Sequence, residues 1–467
     1  MKSDLNFNSY QSLFSWRYGS NKMRQIFSEI NKRKTWRKVW VALARAQQKA
    51  GLLTKQELTS IEKNADKIDI EKAHQIEKEI YHDLMAEIKV FASQSGHAGG
   101  KIHLGATSMD IEDNADIIRI SQALNILETK LKKLLKSFSP LIKKYQSMVC
   151  MGYTHLQPAE PTTLGYRFSL YAQDLLFDLR LLRYFKNNLA AKGMKGAVGT
   201  SASYDKLLKG GKVDAQTLSK IVMGQLGLKE VTVSNQTYPR KTDLHLTFVL
   251  SSIAQSLYKF AFDLRIMQSP NFGEWSEPIS AKRVGSSAMP FKRNPDKAEK
   301  ICSLARYISS HVNIAFINAA ESLLERTLDD SANRRIFIPE AFLATDEILM
   351  VTSDIVEDLV IYKENIAKNL EKYGPFAGTE SLMMEAVKNG ANRQEIHEVI
   401  RKQSMVAWQK INQTGKNPLV NLLESDKIIT KFVNSKSIPT LVNPAAHIGL
   451  ASKNCTIFLK ELNKELS

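Results

Sequence analysis

The sequence predicts an all-α protein built around a bundle of long helices. Apolar residues recur at spacings of three and four over several long stretches, the period of helices with a buried face. Strand-like alternation is scarce, and 22 Gly with 13 Pro in 467 residues are too few for a turn-rich all-β chain. No internal repeat or low-complexity tract appears.

The first long helix reads over 113–145. Asp113 and Asn114 offer an N-cap. Ile117, Ile120, Leu124, Leu127, Leu131, Leu134, Phe138, Leu141 and Tyr145 follow in a near-heptad, and Pro140 is expected to bend or break it. The second, over 164–190, is apolar on nearly every face, with Phe168, Leu170, Tyr171, Leu175, Leu176, Phe177, Leu179, Leu181, Leu182 and Phe185. Such a helix needs cover on all sides, which suggests neighbours from other subunits. Three more read over 242–268, 295–321 and 335–371. At 1.5 Å per residue these rods are on the order of 40–50 Å long. The flanks carry shorter helices, such as 35–50 and 55–66 on the N-terminal side. On the C-terminal side, KYGPFAG, TGKNP and LVNPAAH break them. The expected division is an N-terminal helical domain over 1–110, a central long-helix domain over 111–364 and a C-terminal helical domain over 365–467.

The chain is 43% hydrophobic and 24% charged, an ordinary globular balance. Its three cysteines, Cys150, Cys302 and Cys455, form neither a CxxC pair nor a Cys/His ligand cluster, which argues for reduced buried thiols and no structural zinc. MKSDLNFNSYQSLFSW has no apolar signal core and no membrane-length apolar run follows, so a soluble cytoplasmic protein is expected. The net charge of +17 admits a nucleic-acid surface or a cleft for a small anion. NKRKTWRK (31–38) is the densest basic run and reads more readily as a solvated helix face than as a nucleic-acid patch.

Unusual residues gather between the rods, in KIHLGATSMDIEDN (101–114), MGYTHLQPAEPTT (151–163), GMKGAVGTSASY (193–204), SNQTYPRK (234–241) and GSSAMPFKRNP (285–295). Loops at the ends of a rigid core are where chemistry gathers. His155 stands between Thr154 and Gln157 ahead of a helix start, and structure and proton transfer are equally open for it. His82, beside Asp83, reads first as a helix-surface residue. GATS, with Thr107 and Ser108, is a run of small donors suited to carboxylates or phosphates. The evenly spaced Gly193, Gly196 and Gly199 form no dinucleotide or ATP motif and mark a tight turn. In ERTLDDSANRR (325–335), Arg326, Ser331, Arg334 and Arg335 could clamp a phosphate or form a salt-bridge network with Asp329 and Asp330. In GSSAMPFKRNP, a serine could become a base if Lys292, Arg293, Asn294 and the following helix start supply positive potential.

GSSAMPFKRNP resembles the signature loop of the fumarase/aspartase superfamily, with HLGATSMDIEDN resembling its first block and THLQPAEPTT its second, so that all three follow in the expected order. Within that superfamily the chain is similar to the adenylosuccinate lyase family. RYGS (17–20), KTWRKVWVALARAQ (34–47), HDLMA (82–86), QTYPRKTD (236–243) and ERTLDDSANRR carry that likeness. It runs from about residue 14 to about 410. The resemblance implies an L-aspartase-like homotetramer with a twenty-helix core and active sites built from three subunits. It implies release of fumarate from adenylosuccinate, giving AMP, and from SAICAR, giving AICAR, with no metal or cofactor and no nucleic-acid or membrane partner.

The roles it implies are residue by residue. Ser286 would be the general base that makes an aci-carboxylate carbanion, stabilised by Lys292 and Asn294. His155 would be the general acid, oriented by Glu299. His82, with Asp83 beside it, would hold the substrate. Thr107, Ser108, Thr154, Gln236 and Ser287 would bind the succinyl end; Arg17, Tyr18, Arg326, Ser331 and Arg335 would bind phosphate and ribose. Tyr81, Tyr166 and Lys300 stand where relatives often carry Arg or Lys, Lys, and Arg, which bears on affinity rather than chemistry. A sister lyase acting on argininosuccinate, aspartate or malate is the alternative within the fold, and an inactive scaffold or nucleic-acid binder the alternative outside it.

Overall fold

Five long helices carry the architecture: Ser108–Tyr145, Leu164–Asn188, Lys241–Gln268, Asp296–Ala320 and Asp329–Glu357. The computed structural model describes residues 8–278 and 287–466. The rods form where the three-and-four periodicity predicts them, because each buries its apolar stripe. In the first rod Ile117, Leu124, Leu127, Leu131, Leu134 and Phe138 are fully buried.

Several boundaries differ from the sequence reading. The first rod begins at Ser108, so Asp113 and Asn114 are not its N-cap. Both are buried inside the helix and bond to other segments: Asp113 accepts from the Tyr238 amide at 2.7 Å, and Asn114 donates to the Gly193 carbonyl at 3.1 Å. Pro140 lies within the rod without ending it. Phe138 and Ile142 on either side are fully buried, and that packing offsets the hydrogen bond the proline lacks. The fifth rod starts before 335 and stops at Glu357, and a separate helix runs Lys363–Ala377. Between them the β-branched pair Val360–Ile361 leaves the helix to form an antiparallel bridge with Trp275–Ser276. KYGPFAG does not break that later helix, which runs through Pro375 to Ala377 and caps at Gly378. A Cβ at Gly374 would lie 2.7 Å from the Pro444 ring, so glycine here serves close packing.

Residues 151–163 are not an irregular lead-in to a helix. Val149–Thr154 and Gln157–Thr163 pair as an antiparallel hairpin with a register shift at Met151/Tyr153. Ala190–Ala191 and Lys229–Glu230 form a short parallel pair.

The chain divides into two units. The first comprises the segments up to Lys130, Asp178–Gln255 and Ser303–Met350, including the helices Glu29–Lys49, Lys55–Asn64, Ile70–Ile80 and Asp83–Gln94. The densest basic run belongs here and is not a solvated face. Arg33 and Arg37 are buried and share the buried Glu87 carboxylate at 2.9 and 2.6 Å, and Trp36 is buried beside them. The second comprises Leu131–Phe177, Ser256–Cys302 and the chain from Val351 onward. Its C-terminal helices close over Leu382, Ile396, Leu419, Leu423, Ile429 and Ile438.

Candidate active site

The first unit holds one set of the expected residues, several of them at the start of the first rod. The glycine-rich turn at 193–199 is tight, with φ of +85°, +72° and +85° at Gly193, Gly196 and Gly199. It receives an anion from the chain itself. The Asp110 carboxylate takes the amides of Lys195 and Gly196 at 3.0 and 3.1 Å and the Lys192 ammonium at 2.6 Å. The Thr107 amide also donates to Asp110, at 3.1 Å, which fixes GATS at the helix start and leaves Thr107 and Ser108 half-buried.

His82 is the N-cap of Asp83–Gln94, its Nδ1 accepting from the Met85 amide at 3.4 Å. That role assigns the proton of the neutral ring to Nε2 and leaves the exposed ring available as a donor. Tyr81 precedes it in the left-handed region with φ 54° and is exposed. Asp83 pairs with Arg335 at 3.1 Å. The turn carrying Arg17 and Tyr18 is anchored to the fifth rod: the Gly19 and Ser20 amides donate to Glu347 and Asp346 at 3.0 and 2.6 Å. Arg17 is exposed and Tyr18 half-buried. The Gln236 amide donates to the Glu325 carbonyl at 3.1 Å, tying the SNQTYPRK segment to ERTLDDSANRR.

ERTLDDSANRR forms the salt-bridge network that was one of its two readings, and three of its residues also line a cavity. Asp330 pairs with Arg326 at 2.6 Å and Arg240 at 2.5 Å, and Arg240 reaches Asp113 at 3.2 Å. Arg334 is buried against Asp243 at 2.7 Å and takes no part in an open clamp. Burial alone would raise the Asp330 carboxyl; Arg240 and Arg326 outweigh it and hold it below the usual carboxylate range. Arg326, Ser331 and Arg335 line a cavity of about 200 Å³ together with Lys32, Trp36, Met109, Glu112, Asp116, Arg119 and Arg240. Three of its arginines, at Arg119 Nε, Arg240 Nη2 and Arg326 Nε, keep a buried N–H with no acceptor among the described residues. Buried donors of this kind call for an anionic or polar partner.

Sequence reasoning missed Glu112, Asp116, Arg119 and Arg240 as cavity residues. Glu112 and Asp116 follow Ser108 at steps of four, which places all three on one helix face. Burial, the first cause, and Asp83 push the Glu112 carboxyl up to about 8 against the opposing pull of Arg335.

The second unit holds the rest. Thr154 and His155 are exposed at the hairpin tip, and His155 and Leu156 are its turn residues with φ of 54° and 60°. Two consecutive non-glycine residues in the left-handed region are strained, a state proteins retain at functional sites. Among the described residues His155 makes no hydrogen bond; Glu299, on the fourth rod, lies 3.7 Å from Arg265. Ser287 and Lys292 are exposed and Asn294 is half-buried. The Lys292 amide closes a turn onto the Met289 carbonyl at 3.0 Å ahead of the rod that starts at Asp296. Ser286 lies outside the described residues.

Comparison with known proteins bears on this arrangement. A family model described as "Lyase" matches residues 17–309, and one described as "Adenylosuccinate lyase C-terminus" matches residues 375–456. An adenylosuccinate lyase of Schistosoma mansoni is 39% identical, covering 97% of this chain and 95% of that one. One of Saccharomyces cerevisiae is 37% identical, covering 98% and 96%. Among solved structures, a fumarate lyase from Mesorhizobium sp. BNC1 aligns over 97% of this chain and 99% of its own with a TM-score of 0.83 at 21% identity. A 3-carboxy-cis,cis-muconate lactonizing enzyme from Pseudomonas putida aligns over 98% and 100% with a TM-score of 0.85 at 21% identity. At those identities the two structures speak to the all-α fold alone.

Proposed function

The chain belongs to the adenylosuccinate lyase family, and we propose that it eliminates fumarate from adenylosuccinate to give AMP and from SAICAR to give AICAR. The observation that carries the reading is the cation-lined cavity, where Arg326, Ser331 and Arg335 meet Lys32, Arg119 and Arg240. A phosphate monoester presents several strong acceptor oxygens at two negative charges, the chemistry such donors fit. Argininosuccinate, aspartate and malate carry no phosphate, which disfavours the sister-lyase reading.

In this mechanism Ser286 removes the Cβ proton, and the electron pair passes into the neighbouring carboxylate as an aci-acid. Lys292 and Asn294 stabilise that charge, and collapse expels the substrate nitrogen, which His155 protonates. Glu299 orients His155, and Ser287, Thr107, Ser108, Thr154 and Gln236 hold the carboxylates. His82 and Asp83 position the substrate, and Arg17, Tyr18, Arg326, Ser331 and Arg335 hold the phosphate and ribose. The reaction as written needs no metal or organic cofactor.

The active sites are shared by three subunits of a homotetramer, with the three-domain division expected from sequence. Leu170, Phe177, Leu181 and Tyr184 support the assembly: they repeat at steps of seven, four and three along the second rod and are exposed within one chain. A cytoplasmic location belongs to the same reading. Among the described residues no helix is long and apolar enough to cross a membrane. The reading disfavours nucleic acid as a partner, since Arg33 and Arg37 of the densest basic run are spent internally. The test is turnover of adenylosuccinate and SAICAR, followed by absorbance, beside argininosuccinate, aspartate and malate. Fumarate from the two phosphorylated substrates alone is expected; none from either would overturn the proposal.

A further inference from the structure

The first rod sets a carboxyl group into the wall of the cation-rich cavity. Glu112 lies one helical turn past Ser108 and one before Asp116. It lines the cavity with Arg326, Ser331 and Arg335. Among the described residues it forms no hydrogen bond and no ion pair, although its neighbours are committed. Arg335 is taken by Asp83, Arg326 and Arg240 by Asp330, Arg119 and Arg334 by Asp116, and Lys32 by Glu29. We propose that Glu112 is a ligand-binding residue of the phosphate subsite, which in its neutral form donates its O–H to a phosphate oxygen and in its ionised form repels that phosphate. This deepens, and rests on, the assignment of the cavity to the substrate phosphate.

The surroundings favour the neutral form. Glu112 is half-buried; its partial burial and the charges of Asp83, Asp116 and Asp113 act on it against the pull of Arg335, and its carboxyl is pushed up to about 8. Glu29 and Lys32 face the same cavity from the Glu29–Lys49 helix, and Arg119 from the first rod; Arg240, Arg326 and Arg334 complete the charges around it. A bound phosphate dianion adds negative charge beside the carboxyl and holds the proton more firmly. The carboxyl is therefore a pH-dependent selector: a donor to the dianion at neutral pH and an electrostatic barrier above it. A phosphate monoester loses its second proton near pH 6, so its own titration falls below this window.

The test is KM for adenylosuccinate between pH 7 and 9 in wild type and Glu112→Gln, which keeps a donor that cannot ionise. If only the neutral acid binds, KM of the wild type rises about tenfold over that interval, as one proton linked to binding requires. The glutamine variant shows no such rise. Parallel profiles in the two proteins, or a flat profile in the wild type, overturn the proposal. If Glu112→Gln does not fold, Glu112→Ala serves: it binds more weakly at pH 7 and loses the pH dependence. Calorimetric titration with AMP and with adenosine at both pH values separates this proposal from the functional reading. The pH-dependent loss belongs to AMP alone even if adenylosuccinate turnover is absent, whereas equal pH dependence for adenosine contradicts a phosphate contact.

Discussion

The cavity of the first unit and the hairpin tip of the second solve opposite problems. Around the cavity, fixed charges are held by other fixed charges: Asp330 is set by Arg240 and Arg326, and Asp116 by Arg119 and Arg334. At the hairpin, His155 is exposed, strained and without a hydrogen-bonding partner among the described residues. A group that only has to hold a phosphate gains from being positioned in advance, since little reorganisation is then needed on binding. A group that has to donate a proton needs access to the substrate. Substitutions should therefore act on different observables in the two regions.

The largest effect is expected at the hairpin. His155→Ala should lower kcat by about 10²- to 10⁴-fold, the usual contribution of a positioned general acid, while thermal unfolding stays near wild type because the side chain is exposed. A variant with near-normal kcat would break the comparison. Next comes Glu87→Gln, which strips the buried Arg33 and Arg37 of their shared anion. Breaking a buried pair this way costs about 3–5 kcal/mol, read as a lowered denaturant midpoint, with kcat per folded molecule little changed. A stability change near zero would mean the basic run is not held as described.

A smaller, separable effect is expected at the cavity. Arg335→Ala should raise KM for adenylosuccinate by about 10- to 100-fold, the loss of a charge-assisted hydrogen bond, with a much smaller change in kcat. Arg335 is more than half exposed, so stability should hardly move. A fall in kcat at constant KM would place it in the proton-transfer half instead. The smallest is Leu156→Gly, which removes a left-handed leucine from the turn. Relief of about 1 kcal/mol is expected as a slightly raised midpoint, and a lowered one would show that the leucine side chain holds the tip.

The rods were legible because burial of an apolar stripe imposes its own period, and Ile117 to Phe138 display it without help from the rest of the chain. Their ends were less legible. Asp113 and Asn114 resemble cap residues in type, but buried partners at Tyr238 and Gly193, far away in sequence, recruit them into the helix. The hairpin was missed because proline and polar residues dominate Gln157–Thr163 and hide any alternation. At the site, ERTLDDSANRR announced its chemistry but not its division of labour. Only burial distinguishes Arg334, committed to Asp243, from Arg335 one residue later. Glu112 was hidden by its neighbours: a carboxylate inside MDIEDN reads as part of an acidic cap until the helix is seen to start at Ser108.

The most direct measurement compares kcat/KM for adenylosuccinate with that for its dephosphorylated nucleoside. A lyase whose arginine-lined cavity holds the phosphate should release fumarate from both and favour the phosphorylated substrate by at least about 100-fold, the worth of two charge-assisted hydrogen bonds. Equal efficiency on the two, or no fumarate from either, would contradict the account.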